Sequence, residues 1–362
     1  MLETFLAERK LPALLQMTDG SAVTAENWQQ RRQELVDILG ENVFGRMPRR
    51  SESATWRELE KDVNAAGKAM TRKMEITLPV GEASTFSFPV TVTVPFSAKP
   101  ESPKPAFVFI SFGYAKYYPM EELVDQDVIV AEMVMNDVSQ DKDDNWESGM
   151  AKVLYPNGRV GADSPGKIAM WAYAASGVLD YLLSLAQVDS TRVGVVGHSR
   201  LGKTALWAAA NDTRFTHAFS NNSGCAGAAL TRQKVGETFP DIYQRFPYWF
   251  CENMKKWSSD VEDITNADFD QHYLLAAIAP RKVCVASAQQ DQWADPQSEF
   301  LSCAAASHAW KLLGKTGFVS ENRMPEPGDC FYAGDVAYHL RSGTHFLSRH
   351  DWVKFCDFLK NS

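Results

Sequence analysis

Several features that mark whole classes of protein are missing from this sequence. No apolar run approaches the ~18 residues that a membrane-spanning helix needs. Lysine and arginine form no dense cluster, and a formal net charge of −8 argues against a nucleic-acid partner. The six cysteines include no C-x-x-C pair, so most of them are expected to be buried free thiols. The seven histidines show no zinc-ligand spacing such as H-E-x-x-H, and we expect neither a metal nor another cofactor.

The N-terminal stretch MLETFLAERKLPALLQ lacks the uninterrupted apolar core and the small-residue cleavage site of a secretory signal. Charged side chains at Glu3, Glu8, Arg9 and Lys10 interrupt it. We therefore expect a cytoplasmic protein, or a secreted one only if a leader was removed.

What the chain does contain is an alternation of strand and helix patterns. Its 362 residues, 45% of them hydrophobic and 23% charged, are typical of a globular protein. An antiparallel hairpin is predicted over 73–95, followed by buried strands at 106–111, 127–135, 193–196, 218–220, 282–288 and 336–340. Helices are predicted over 25–39, 167–186, 201–210 and 297–313 and at the C-terminus. This order predicts an α/β protein with a mostly parallel central sheet flanked by helices on both faces, a three-layer sandwich.

The same pattern divides the chain into two parts. Residues 1–72 are predicted to form an N-terminal helical arm that packs on the main domain, with a surface connection over 40–72. Residues 73–362 are predicted to form the main domain, with a helical insertion at about 226–275. The polar segment 136–165 is predicted to be a long loop above the sheet, and loops of that length are usually functional or mobile.

The stretch 193–207, VGVVGHSRLGKTALW, has the composition of a buried strand, a tight turn and a helix, and two mechanisms fit it. The segment from Gly197 to Thr204 matches the phosphate-binding loop G-x-x-x-x-G-K-T, whose backbone amides and lysine bind phosphate. Alternatively, Ser199 occupies the nucleophile elbow of a serine hydrolase. The elbow match is imperfect, because the second glycine of G-x-S-x-G stands one residue late, at Gly202.

The later strands favour the elbow. Asp291 follows the strand at 282–288 and His345 follows the strand at 336–340, so a serine, an acid and a histidine lie beyond strand ends in the order of a hydrolase triad. In such a triad His345 takes the proton of Ser199 and Asp291 orients His345. The backbone N–H and the guanidinium of Arg200 are the expected oxyanion donors.

The sequence meets the requirements of a phosphate-binding loop less well. The loop follows several predicted strands rather than an early one, Asp291 is the one candidate carboxylate for magnesium, and His345 has no role.

The triad candidates also have plain structural interpretations. Ser199 or His345 could be a turn residue. Asp295 is an alternative triad acid to Asp291, and either aspartate could instead cap the helix that follows Pro296.

Several strings together resemble the glucuronoyl esterases, carbohydrate esterase family 15. They are GHSRLGKTALW, NNSGCAGAAL, FPYWFCEN, DQHYLLAAIAPR, ASAQQDQWADP and YHLRSGTH, and the resemblance runs from about residue 165 to the C-terminus. It implies an α/β-hydrolase fold and a serine esterase that cleaves the ester between a 4-O-methyl-glucuronoyl group of xylan and a lignin alcohol. A glucuronoxylan-derived oligosaccharide ester is the implied substrate. The family's elbow carries serine, arginine, glycine and lysine at the spacing of Ser199, Arg200, Gly202 and Lys203, which accounts for the displaced glycine.

The resemblance also implies contacts with the substrate. Lys203 would contact sugar hydroxyls, Trp293 would pack against the uronic ring, and Glu237 or Glu252 would add a sugar contact. Apart from the resemblance, each has a plain structural alternative: Lys203 as a solvated helix lysine, Trp293 as a core residue, and Glu237 and Glu252 as surface charges.

Two residues depart from the family pattern. His198 precedes the nucleophile where the family often has cysteine. Asn222 stands where some members carry their acid as a glutamate, and an amide does not orient an imidazolium as a carboxylate does, so Asp291 must supply the charge.

Three other functions remain open at this point. One is a sugar acetyl esterase, such as an acetylxylan esterase. The others are a nucleotide-binding protein that uses the segment from Gly197 to Thr204, and a carbohydrate-binding protein without catalysis.

Overall fold

Ten strands of the described residues pair into one mixed sheet. The structure, a computed structural model, describes residues 2–48, 52–81 and 84–361. The strands are β1 Thr55–Asn64, β2 Ala69–Val80, β3 Ser84–Pro95, β4 Lys104–Ser111, β5 Ile129–Val134, β6 Val188–His198, β7 His217–Asn221, β8 Lys282–Ala288, β9 Cys330–Phe331 and β10 Val336–Arg341. Their order across the sheet is β1-β2-β3-β5-β4-β6-β7-β8-β10-β9. The strands β5, β4, β6, β7, β8 and β10 run parallel, while β1, β2, β3 and β9 pair antiparallel with their neighbours.

Helices cover both faces of the parallel strands. They are α1 Leu2–Glu8, α2 Trp28–Leu39, α3 Met120–Asp125, α4 Met135–Val138, α5 Gly149–Leu154, α6 Lys167–Ser184, α7 Arg200–Asn211, α8 Phe239–Arg245, α9 His272–Ala276, α10 Pro296–Leu312 and α11 Arg349–Asn361. A π-helical turn, Gly40–Phe44, extends α2, and short 3-10 turns lie at Ala115–Tyr117, Pro247–Trp249, Glu252–Trp257 and Asp263–Asn266.

The core lies in two layers because successive side chains of a strand point to opposite faces. On one face Phe107 of β4 packs in a cluster with Trp352 and Phe355 of α11. On the other face Val108 of β4 belongs to the larger cluster, which includes Trp171 of α6, Leu206 of α7 and Phe300 of α10. The α/β-hydrolase architecture with helices on both faces is therefore confirmed.

The N-terminal region differs from the prediction. The surface connection predicted over 40–72 is wrong for residues 55–64, which form β1 and pair with β2 on both sides of a register shift between Glu58 and Glu60. Leu2–Glu8, within the predicted arm, form the short helix α1. Because β2 begins at Ala69, a division of the chain after residue 72 falls inside a strand.

Two long excursions rise from the carboxyl edge of the parallel strands. The segment 136–165 contains the end of α4 and all of α5, and the segment 226–275 contains α8, three 3-10 turns and most of α9. Among the described residues, no helix combines the length and the apolar character needed to cross a membrane.

Candidate active site

Ser199 sits in a strained turn between β6 and α7. Its backbone has φ 59° and ψ −126°, a conformation that residues other than glycine rarely adopt. The backbone N–H of Ser199 donates to the carbonyl of Asn221 at 2.8 Å. A Cβ at Gly197 would lie 2.1 Å from the carbonyl oxygen of Leu201, so only glycine fits the start of the turn. This is the geometry of a nucleophile elbow.

The displaced glycine has a packing role. A Cβ at Gly202 would lie 3.0 Å from Cβ of Ser223 and 3.1 Å from Oγ of Ser220. Gly202 therefore lets the first turn of α7 approach the turn after β7.

His345 and Asp291 form a hydrogen-bonded pair beside this turn. Nδ1 of His345 lies 2.6 Å from Oδ2 of Asp291, and Nδ2 of Asn222 donates to the same oxygen at 2.8 Å. Burial alone would raise the pKa of Asp291, but these hydrogen bonds and the charge of His345 lower it below its ordinary value. Asp291 is thus a carboxylate that accepts Nδ1–H and leaves Nε2 of His345 for a reacting group. Asn222 supports the acid rather than replacing it.

Asp295, the alternative acid, has a different place. It is the N-cap of α10, where Oδ1 accepts the backbone N–H of Ser298 at 3.1 Å. Its Oδ2 accepts the backbone N–H of Val235 at 3.0 Å. The geometry therefore pairs His345 with Asp291 and uses Asp295 as a helix cap.

The loop that carries His345 is held by a buried arginine. The guanidinium of Arg341 donates to backbone carbonyls on both sides of His345, namely those of Ser342, Thr344 and Phe346. Nε of Arg341 also donates to Oδ2 of Asp351 at 2.9 Å, and Asp351 is fully buried. This arginine clamp fixes the backbone from which the imidazole projects.

Arg200 lies at the first position of α7 with its guanidinium enclosed by aromatic rings. Its Cζ is 4.6 Å from the ring centroid of Trp249, 5.5 Å from that of Phe112 and 5.6 Å from that of Phe246. Nη1 forms an ion pair with Asp141. Nε is buried and has no hydrogen-bond partner in the part of the chain that the structure describes.

The three residues predicted to contact substrate differ in exposure. Lys203 is buried and its Nζ donates to the carbonyl of Ser223 at 2.6 Å. Burial lowers the pKa of Lys203, and the negative charge of Glu237 partly opposes that effect. Glu237 is also buried and accepts a hydrogen bond from Nε1 of Trp293 at 3.2 Å. Trp293 is 48% exposed, so it is not a core residue.

His198, directly before Ser199, is buried and packs against His345. Its ring centroid is 4.5 Å from that of His345, and Nδ1 donates to Oδ1 of Asn221 at 2.6 Å. Burial, reinforced by the charge of His345, lowers the pKa of His198 to about 3. His198 is therefore a neutral packing residue and not a base.

All seven predicted site residues line a single cavity of about 370 Å³. They are Ser199, Arg200, Lys203, Glu237, Asp291, Trp293 and His345. Glu252, the alternative to Glu237, does not line it. Phe246 and Trp249 of the insertion also line the cavity, and Asp141 reaches Arg200 from the long loop. Sequence analysis gave these three no role in the site. Phe246 and Trp249 lie in the string FPYWFCEN, which contributed to the family resemblance, whereas no motif surrounds Asp141. The length of both excursions indicated the right segments.

Comparison with known proteins decides the family. Residues 75–314 match the family model described as glucuronyl esterase of fungi. A carbohydrate esterase from an unknown prokaryotic organism is 32% identical over 96% of this chain and 88% of its own length. The 4-O-methyl-glucuronoyl methylesterase of Hypocrea jecorina is 28% identical over 93% of this chain and 69% of its own length.

Solved structures agree. A glucuronoyl esterase from Solibacter usitatus superposes with a TM-score of 0.87 at 31% identity, over 97% of both chains. A glucuronoyl esterase of carbohydrate esterase family 15 from Teredinibacter turnerae superposes with a TM-score of 0.86 at 28% identity, over 98% of this chain and 90% of the other.

The chain belongs to the glucuronoyl esterase family. It is accordingly a carboxylic ester hydrolase of the carbohydrate esterases, and the resemblance inferred from its sequence strings is confirmed.

The nucleotide-binding alternative finds no support in this esterase. The cavity that Lys203 lines also contains the hydrogen-bonded His345–Asp291 pair, which a phosphate loop does not use. The hydroxyl of Thr204, which would bind magnesium, donates to the carbonyl of Arg200 at 2.9 Å.

Proposed function

We propose that this esterase hydrolyses glucuronoyl esters of xylan-derived oligosaccharides through an acyl-enzyme on Ser199. The observation that carries the proposal is the convergence of Ser199, the His345–Asp291 pair and Arg200 on one cavity. The relatives named as 4-O-methyl-glucuronoyl methylesterases support the uronate as the acyl group.

The first half of the reaction forms the acyl-enzyme. Oγ of Ser199 attacks the ester carbonyl while Nε2 of His345 takes its proton, and the carboxylate of Asp291 stabilises the imidazolium through Nδ1–H. The carbonyl oxygen becomes an oxyanion, which the backbone N–H and the guanidinium of Arg200 stabilise. Collapse of the tetrahedral intermediate breaks the ester bond, and His345 returns the proton to the leaving alcohol.

The second half restores the enzyme. Water attacks the acyl carbonyl, His345 removes a proton from the water, and the same donors hold the second oxyanion. Breaking the acyl bond releases the uronic acid and returns the proton to Oγ of Ser199. The chemistry needs only groups of this chain and water.

The cavity offers complementary groups for a uronic ring. Lys203 has three N–H donors and uses one on Ser223, so others remain for sugar hydroxyls. The carboxylate of Glu237 accepts hydrogen bonds and is fixed by Trp293. The exposed indole of Trp293 supplies an apolar face against which the C–H face of a sugar can stack.

The test compares hydrolysis of benzyl glucuronate and of an aryl acetate by the wild type, by Ser199→Ala and by Ser190→Ala. Ser190 is an exposed serine near the opposite end of β6, so it controls for the loss of a serine hydroxyl. We expect uronate hydrolysis to fall by about 10⁴ or more in Ser199→Ala and to stay unchanged in Ser190→Ala. Cleavage of acetate alone would overturn the uronate specificity, and activity retained in Ser199→Ala would overturn the mechanism.

A further inference from the structure

Asp141, in the excursion 136–165, joins that loop to the two other parts of the site. One carboxylate oxygen, Oδ2, pairs with Nη1 of Arg200, and the other, Oδ1, accepts Nε1–H of Trp249 at 2.6 Å. The side chain of Asp141 is only 12% exposed. A single carboxylate thus connects the helix after the nucleophile with the helical insertion.

The position of Asp141 is imposed by its own loop. The backbone N–H of Asp141 donates to Oδ1 of Asn136 at 2.9 Å. Two residues earlier, the carbonyl of Ser139 accepts Nε1–H of Trp171 at 2.9 Å, and Trp171 is fully buried in α6.

Lys167 anchors the other side of Asp141. Its ammonium is fully buried at the start of α6 and donates to the carbonyl of Gln140 at 2.7 Å, to the carbonyl of Lys142 and to Oδ1 of Asp144 at 2.8 Å. Two of these acceptors, the carbonyls of Gln140 and Lys142, lie immediately before and after Asp141. A buried ammonium with three acceptors is satisfied only while this backbone keeps its course, so the carboxylate of Asp141 is held in place.

Arg200 needs such an orienting partner. The aromatic rings of Phe112, Phe246 and Trp249 attract the cation, but a cation–π contact does not specify which N–H of the guanidinium faces the reacting atoms. An ion pair at Nη1 fixes the orientation of the whole guanidinium, because its N–H groups lie in one rigid plane. With Nη1 held by Asp141, Nε is the buried donor without a partner among the described residues.

We propose that Asp141 is a positioning residue that orients Arg200 toward the oxyanion, and that the loop 136–144 is built to hold it. The inference rests on the proposed function, since it assigns Arg200 to the oxyanion. A carboxylate next to an oxyanion donor also weakens the positive charge there. The orienting effect outweighs this cost, because a misdirected donor contributes nothing to the transition state.

The experiment is a double-mutant cycle on benzyl glucuronate hydrolysis with Asp141→Asn, Arg200→Ala and the double variant. The Asn side chain keeps an oxygen for Nε1–H of Trp249 and removes the charge that pairs with Arg200. Asp143→Asn is the matched control, since Asp143 lies two residues away in the same loop and is exposed. Thermal unfolding of each variant checks that it is folded.

We expect Asp141→Asn to lower kcat about tenfold with KM changed less than twofold, and Asp143→Asn to leave both unchanged. In the Arg200→Ala background the same Asn substitution should have no further effect on kcat. An unchanged kcat in Asp141→Asn, or an equal loss with and without Arg200, would overturn the inference. Asp141→Ser takes the place of Asp141→Asn in the cycle if the Asn variant does not fold.

These outcomes separate the two proposals. If Ser199→Ala inactivates the enzyme but the cycle shows no coupling between Asp141 and Arg200, only the role of Asp141 is rejected. Activity retained in Ser199→Ala rejects the proposed mechanism and, with it, the inference that depends on it.

Discussion

Replacing Asp351 with Asn should release Arg341, whose guanidinium holds the loop that carries His345. The substitution should also destabilise the protein in a pH-dependent way. Asp351 is fully buried and receives hydrogen bonds from Nε2 of His339 and Nε of Arg341, both at 2.9 Å. Burial alone would raise the pKa of Asp351, but the hydrogen bond from His339 and the charges of His339 and Arg341 lower it from 3.8 to about 2. Since each unit of pKa is worth about 1.4 kcal/mol, the charge of Asp351 contributes roughly 2 to 3 kcal/mol to the free energy of unfolding at pH 7.

The pH dependence of the stability follows from the direction in which folding shifts the pKa of Asp351. Because the pKa is lower in the folded state, the contribution of Asp351 is fully present above its ordinary pKa of 3.8 and is lost as the pH falls toward 2. The destabilisation caused by Asp351→Asn should therefore be roughly 2 to 3 kcal/mol at pH 7 and fall to about half of that by pH 3.

Urea denaturation of wild type and Asp351→Asn at pH 7, 5 and 3 measures this difference, and kcat on benzyl glucuronate measures the effect on His345. Asp357→Asn is the control, because Asp357 lies on the same helix and is exposed. A difference in the free energy of unfolding that stays constant between pH 7 and pH 3 would refute the electrostatic argument. An unchanged kcat would show that the clamp does not position the histidine.

Two further predictions concern the cavity. Asp291→Asn keeps the shape of the side chain and removes its charge, so kcat should fall by about 10³ to 10⁴ with KM little changed. Asp295→Ala removes the helix cap instead. It should lower the free energy of unfolding by about 1 kcal/mol and largely spare kcat. If steady-state kinetics found the larger loss of kcat in the Asp295 variant, the pairing of acid and histidine would be wrong. Trp293→Ala should raise KM for benzyl glucuronate severalfold, leave KM for an aryl acetate unchanged and shift Tm little, because the ring is half exposed. Equal KM changes for both substrates would remove Trp293 as a sugar platform.

The sequence was most informative where local pattern and chemistry coincide. The buried strand at 282–288 was predicted with its observed bounds, because a short all-apolar run allows few alternatives. Ser199, Asp291 and His345 each follow such a strand, and parallel strands bring their carboxyl ends to one edge, so their meeting in one cavity could be predicted. The choice between Asp291 and Asp295 needed the structure, since both precede Pro296 and only the start of α10 decides which one caps it.

Other features could not be predicted because they depend on long-range packing. Asp141 meets Arg200 across 59 positions of sequence, and the surrounding polar loop has no periodicity that would indicate its course. The role of Lys203 depends on the turn after β7, whose carbonyl at Ser223 determines where the ammonium goes. Strand β1 was missed because all but its last residue are exposed, so no alternation of apolar and polar residues marks it.

The exposure of β1 to solvent has a consequence for the behaviour of the protein at high concentration. An edge strand presents unpaired backbone groups to solvent and can pair with the edge of another molecule. Along β1, the charged side chains Arg57, Glu58, Glu60, Lys61 and Asp62 and the register shift between Glu58 and Glu60 oppose such pairing. The opposite edge is protected by its length, since β9 has two residues. Both margins of the sheet thus carry features that discourage edge-to-edge aggregation.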